Sequence, residues 1–161
     1  MRIFLDGCDG TGKTTLAKYL SERFNLDIFC LTKEGVKSVK RYKELLSIDN
    51  VVHDRTFLSE VVYPPVFGRS RWLSDDVICE LIDQYRKSDD IFVICTCDDR
   101  AIRERISHRF TFEYEEVVDN INYINGSYKE IAIKYDLLLV DTYKLTLEEI
   151  GDIIEKEIKK W

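Results

Sequence analysis

The sequence predicts an α/β fold, a parallel five-stranded sheet flanked by helices, on three observations. Short apolar runs recur along the chain without polar alternation, as strands buried on both faces do. Amphipathic stretches of helical period lie between them, and strand–helix alternation builds parallel sheets. The first apolar run also leads directly into a glycine-rich segment, LDGCDGTGKTT at 5–15, that opens a helical pattern.

The elements follow in order. RIFL at 2–5 is the first strand, and TLAKYLSERF at 15–24 sets Leu16, Tyr19, Leu20 and Phe24 on one helical stripe. LDIFCL at 26–31 is the second strand, with an amphipathic stretch at 36–47 behind it. NVVHD at 50–54 is the third, and a second amphipathic stretch covers 74–87. IFVICTC at 91–97 is the fourth strand, then an arginine-rich helical run and an amphipathic stretch at 112–134. DLLLV at 136–140 and a helix at 146–160 complete the pattern. At 161 residues and 45% hydrophobic, the chain suits one domain, 1–161, around a single core. Two prolines and the absence of any Ser- or Gly-rich tract leave no linker in view.

A net charge of −6 argues against general affinity for nucleic acid or an anionic membrane, although a cleft can be basic inside an acidic protein. The first strand begins at Met1 and no apolar run is long enough to span a bilayer. The expectation is therefore a cytoplasmic protein without signal peptide or membrane partner. Five cysteines, with Cys95-Thr96-Cys97 lacking C-x-x-C spacing, read as buried reduced thiols.

Gly7 to Gly12-Lys13-Thr14 fits G-x-x-x-x-G-K-[ST] between a strand and a helix, the context of a phosphate cradle and of a P-loop NTPase fold. Glycines let consecutive N–H groups turn inward, and the helix start adds its positive end. Gly7, Gly10, Thr11, Gly12, Lys13, Thr14 and Thr15 are thus the ATP-phosphate candidates, with Lys13 on the β/γ phosphates and the Thr14 hydroxyl on Mg²⁺. A cation at a helix start opposes the dipole unless an anion sits beside it.

Ligands on parallel sheets bind at the carboxyl ends of the strands. After the third strand stand Asp54, placed for Mg²⁺ or its waters, and Arg55, whose fork suits phosphate. The plain alternative is a structural Asp–Arg pair with Asp54 as helix cap. His53, within the run, reads as a core histidine. After the fourth strand, Arg105 and Arg109 share one helical stripe and Arg100 and Arg103 another. The first pair is assigned to a phosphate-closing lid at about 99–112, the second to a solvated face, and His108 to an exposed position.

These sites together resemble the thymidylate kinase and deoxynucleoside kinase group of phosphate-loop kinases, over nearly the whole chain. Gly7-Cys8-Asp9-Gly10-Thr11-Gly12-Lys13-Thr14-Thr15 is similar to the thymidylate kinase loop, whose aspartate stands at the place of Asp9. Asp54-Arg55 with Ser59 and Tyr63 resembles D-R-x-x-x-S-x-x-x-Y. The resemblance implies that Asp9 lies near the acceptor sugar and the metal. It also implies that Arg55 bridges donor and acceptor phosphates, and that Tyr63 crowds the sugar 2′ position. Asp141-Thr142 resembles the loop that contacts adenine. Thr32-Lys33-Glu34-Gly35 stands where thymidylate kinases carry a Thr-Arg-Glu-Pro-Gly-like stretch, which makes Lys33 an acceptor candidate. Residues 33–49 leave room for one helix where the family has two, with Arg41 and Tyr42 the candidates for the base. In length the chain resembles small virus-encoded kinases of the group.

The expected activity is phosphoryl transfer from Mg·ATP to a deoxynucleoside monophosphate, dTMP or a related pyrimidine. Lys13, Asp54, Arg55, Arg105 and Arg109 carry it in this reading, with Asp9, Ser59, Tyr63, Lys33 and Tyr42 on the acceptor. A nucleoside kinase acting on a 5′-hydroxyl, with Asp54 as base, is the alternative. A kinase of a hydroxymethylated base or DNA end is a variant of it, and a non-catalytic nucleotide-binding module is the third reading. A homodimer stays open as an assembly.

Overall fold

The computed structural model describes residues 1–31, 38–85, 90–107 and 112–159. The strands are β1 (Arg2–Gly7), β2 (Asp27–Cys30), β3 (Val51–Asp54), β4 (Ile91–Thr96) and β5 (Leu138–Asp141). They form one parallel sheet in the order β2-β3-β1-β4-β5. The helices are α1 (Lys13–Phe24), α2 (Val39–Leu46), α3 (Ser59–Val66), α4 (Asp75–Tyr85), α5 (Asp99–Ile106), α6 (Phe112–Asp119), α7 (Ile121–Lys134) and α8 (Leu147–Ile158).

Strand alternation divides the core in two. Ile3, Leu5, Val93 and Cys95 face α1 and α8, where Leu16, Leu20, Ile150 and Ile154 meet them. Phe4, Phe92 and Ile94 face the opposite side, covered by residues of α2, α3, α4, α5 and α7. Both faces of β1 and β4 are therefore dry, which is why their sequences are continuously apolar. The strand order changes direction at β1, whose neighbours are β3 and β4, and the carboxyl ends of these three strands converge on the phosphate loop.

Several local expectations give way. α3 follows β3 after four residues, with Pro64 and Pro65 inside it; its apolar run from Val61 onward hides the helical period, and the prolines read as breakers. The stretch at 112–134 is two helices, parted at Asn120. Cys8, Cys95 and Cys97 are buried, but Cys30 and Cys79 are exposed, all as free thiols. Cys30 ends an edge strand with a partner on one side only. Among the described residues, no helix is long and apolar enough to cross a membrane.

His53 lies fully buried opposite Phe4 in the sheet register and stacks on its ring, with centroids 4.8 Å apart. Burial, and then Arg2, push its imidazole down from 6.5 to about 4. The folded value is the lower one, so the unfolded chain takes up the extra proton as pH falls. Stability present above pH 6.5 is lost between 6.5 and 4. The difference corresponds to about 3 kcal/mol. His53→Phe should flatten that acid limb in denaturant titrations from pH 7 to 4. Equal losses in both proteins would place its origin elsewhere.

Candidate active site

The phosphate loop is shaped by what glycine alone tolerates. At Gly7 an added Cβ would lie 2.2 Å from the Cys95 carbonyl oxygen, so the loop can leave β1 against β4 only without a side chain. At Gly10, φ is 80° and a Cβ would meet the Ile106 methyl at 2.7 Å, packing the loop crest on α5. Thr11 donates to the Cys8 carbonyl at 2.8 Å, closing the turn. The Lys13 ammonium donates to the same carbonyl at 2.7 Å. Burial first, and then Arg55, lower its pKa. Such a buried cation is stabilised by an incoming polyphosphate. Burial pushes the Cys8 thiol up to about 12, leaving it inert.

Thr14 and Thr15 are exposed on the first turn of α1. The Thr14 hydroxyl donates to Asp54 Oδ2 at 2.7 Å. A hydroxyl and a carboxylate side by side at a phosphate loop fit Mg²⁺, which takes one or two protein oxygens and completes its shell with water and phosphate. Among the described residues there is no larger cluster of metal-binding side chains. Thr142 ties the turn after β5 to the phosphate loop. Its hydroxyl lies 2.5 Å from the Thr11 carbonyl and 3.0 Å from that of Thr96. The Asp141 carboxylate accepts from the Tyr143 N–H at 3.0 Å. The β5–α8 turn is thereby held against the phosphate loop.

Arg55 sits across the loop in an unusual backbone state, φ 81°. Its guanidinium pairs closely with the Asp9 carboxylate, donates to Ser59 Oγ at 3.4 Å and lies over the Tyr63 ring at 5.4 Å. The Tyr63 hydroxyl donates to Asp9 Oδ2 at 3.0 Å and accepts from the Asp9 N–H at 3.1 Å. Burial, and then Asp9, raise this phenol well above its ordinary value, so it stays a donor. Asp9, Arg55, Ser59 and Tyr63 thus form one contiguous group beside Lys13 and the Thr14–Asp54 pair.

The remaining candidates divide. Arg105 reaches the Gly10 carbonyl at 3.0 Å, against the phosphate loop. Arg100 is solvated beside Glu104, but Arg103 is not: it donates to the Val118 carbonyl at 2.6 Å and to Asn122 at 3.2 Å, tying α5 to α6 and α7. Its assignment to a solvated face is corrected, because α7 packs beside that stripe. Tyr42 is a core residue, 2% exposed, stacked on Trp72 and edge-on to Phe57. It offers no free face to an acceptor base, since the apolar stripe of α2 turns it inward. Arg109, His108 and Lys33 lie outside the described residues.

Sequence reasoning missed Asp6. Its carboxylate is 1% exposed and lies at the centre of the site's hydrogen bonding, together with Thr56 and Tyr128. A carboxylate immediately before the first loop glycine, at a strand's carboxyl end, was the available signal.

No protein-family model matches the chain. It is similar to a probable thymidylate kinase of Methanocaldococcus jannaschii, at 24% identity over 96% of this chain and 93% of that one. A probable thymidylate kinase of Sulfurisphaera tokodaii matches at 27% identity over 98% and 93%. Among solved structures, the YorR protein of Bacillus subtilis, in complex with phosphorylated GDP, superposes with a TM-score of 0.80 at 25% identity, covering 99% of this chain and 96% of that one. The chain therefore resembles the thymidylate and deoxynucleoside kinase group and has the fold of phosphate-loop nucleotide kinases. Kinases of this group use ATP with Mg²⁺, and relatives and fold together support a nucleotide kinase.

Proposed function

We propose that the chain transfers the γ-phosphoryl group of ATP to a deoxynucleoside monophosphate, dTMP or a related pyrimidine. The observation that carries this reading is the hydrogen bond from Thr14 to Asp54. It supports a metal role for Asp54 beside Thr14, with Arg55, a cation, as the group facing the acceptor. A monophosphate is already ionised near neutral pH and asks for a cation; a neutral 5′-hydroxyl asks for a base.

In this reading the backbone N–H groups of Gly10 and of residues 12–14, with the Lys13 ammonium, hold the donor phosphates. Thr14 and Asp54 would hold Mg²⁺, which neutralises charge on the β and γ oxygens when bound. Arg55 exchanges part of its pairing with Asp9 for the acceptor phosphate and bridges it to the moving group. Asp9, so released, accepts from the sugar 3′-hydroxyl, and Tyr63 stands against C2′. Arg105 and Arg109 close over the donor, and Asp141-Thr142 borders its base.

A coupled ADP-release assay across nucleosides, nucleoside monophosphates and short DNA tests the reading, with Asp54→Asn run beside the wild type from pH 5 to 9. Turnover should require a monophosphate, and the variant should recover activity as Mg²⁺ is raised, with its pH profile unchanged in shape. Turnover on nucleosides alone, with the acidic limb lost in Asp54→Asn, would make Asp54 a base and the acceptor a hydroxyl. Release of ADP only with short DNA would move the substrate to a nucleic-acid end.

A further inference from the structure

We propose that Asp6 is the positioning residue for Arg55: its buried carboxylate fixes the backbone and the hydroxyl that aim the guanidinium at the phosphate loop. The proposal rests on the phosphoryl-transfer reading above.

Five donors converge on this one side chain. Asp6 Oδ2 accepts from the Thr56 N–H at 2.9 Å and the Thr56 hydroxyl at 2.8 Å. Oδ1 accepts from the Gly7 N–H at 3.0 Å, Ser59 Oγ at 3.0 Å and the Tyr128 hydroxyl at 2.7 Å. The Arg55 N–H meanwhile donates to the Leu5 carbonyl at 2.9 Å. Both peptide groups flanking the Arg55 Cα are therefore anchored to the end of β1, one by main chain and one by Asp6. Between them the residue keeps φ 81°, a state that persists only where its surroundings over-determine it. The same carboxylate holds the Gly7 peptide, so the donor-phosphate loop and the arginine turn are registered to a single group. Ser59 completes the link by standing between Asp6 and the guanidinium, which reaches Ser59 Oγ at 3.4 Å.

An amide is no substitute, because its nitrogen donates and would face the N–H and O–H of Thr56. Tyr128 is a second handle. It comes from α7, is fully buried, and lies 3.2 Å from Ser59 Oγ as well as on Asp6. Burial, and then Asp6, hold its phenol well above the ordinary range, so it donates throughout neutral pH.

The test is a pair of mutant cycles, Asp6→Asn and Tyr128→Phe, each in the wild-type and Arg55→Ala backgrounds. Turnover is followed with γ-labelled ATP and folding by thermal melting. Misplacement of a transferring group by about 1 Å costs on the order of a hundredfold, so Asp6→Asn should lower kcat by about that factor. The KM for ATP should change far less. Tyr128→Phe, which removes one bond of the five and keeps the ring, should lower kcat by a smaller factor and carries the cycle if Asp6→Asn does not fold. In the Arg55→Ala background neither change should lower kcat further, while each should lower the melting temperature as it does in the wild type. Equal kcat losses in both backgrounds would overturn the proposal and leave Asp6 a residue of the fold. A wild-type chain without phosphoryl transfer to any acceptor would overturn the kinase reading and the proposal with it.

Discussion

Lys13→Ala should lower turnover by about 10²–10³ without lowering stability. Loss of one preorganised donor to developing charge costs about 10²–10³ in kcat, and in the proposed reading Lys13 is the cation at the donor phosphates. Its effect on the fold has the opposite sign from that of most buried residues. The ammonium is 5% exposed, and burial lowers its pKa. The charged form thus burdens the ligand-free fold at neutral pH. Its removal leaves the Cys8 carbonyl still bonded by Thr11. The variant should melt at or above the wild-type temperature and lose most of the stabilisation that Mg·ATP gives, about 2.7 kcal/mol at a hundred times Kd. A variant with near-normal activity would sink the kinase reading. Loss of the helical signal would make Lys13 structural.

What the sequence made legible was local. The phosphate loop could be read because its glycines, Lys13 and Thr14 lie close together in sequence, and β1 and β4 because burial on both faces leaves them nearly unbroken apolar runs. α3 could not be read, since a short helix that is apolar beyond its first turn and carries two prolines shows neither period nor propensity. Tyr42 was misread for a related reason: a tyrosine on a short helix looks the same whether its stripe meets substrate or core. Arg103 looked solvated because its partners, Val118 and Asn122, lie fifteen and nineteen residues further along the chain. Asp6 was the largest omission. Its partners Thr56, Ser59 and Tyr128 are 50, 53 and 122 residues away in sequence, and only the crossing of β1, β3 and α7 gathers them.

Arg55 should separate chemistry from stability more sharply than any other position. An arginine neutralising a transferring phosphoryl contributes roughly 10³–10⁵ in rate, so Arg55→Ala and Arg55→Gly should both be nearly inactive. Arg55→Lys, which keeps the charge and loses the fork, should fall between them and the wild type. The two inactive variants should nevertheless differ in stability. At φ 81° a side chain meets the steric penalty of the left-handed region, about 1–2 kcal/mol, and glycine escapes it. Part of that gain is returned to the unfolded chain, whose entropy glycine raises by roughly 0.5–1 kcal/mol, so Arg55→Gly should exceed Arg55→Ala by up to about 1.5 kcal/mol. Denaturant unfolding of the two proteins, beside γ-phosphate transfer, measures both quantities. If Arg55→Gly is the less stable, the turn carries no strain and the wild-type backbone is held there at no cost. If Arg55→Ala keeps wild-type turnover, the cation facing the acceptor is some other residue. The expected pattern, activity lost in both and stability higher in the glycine variant, would mean that the fold accepts a strained turn at residue 55 because that turn alone carries the guanidinium to Asp9 and the phosphate loop.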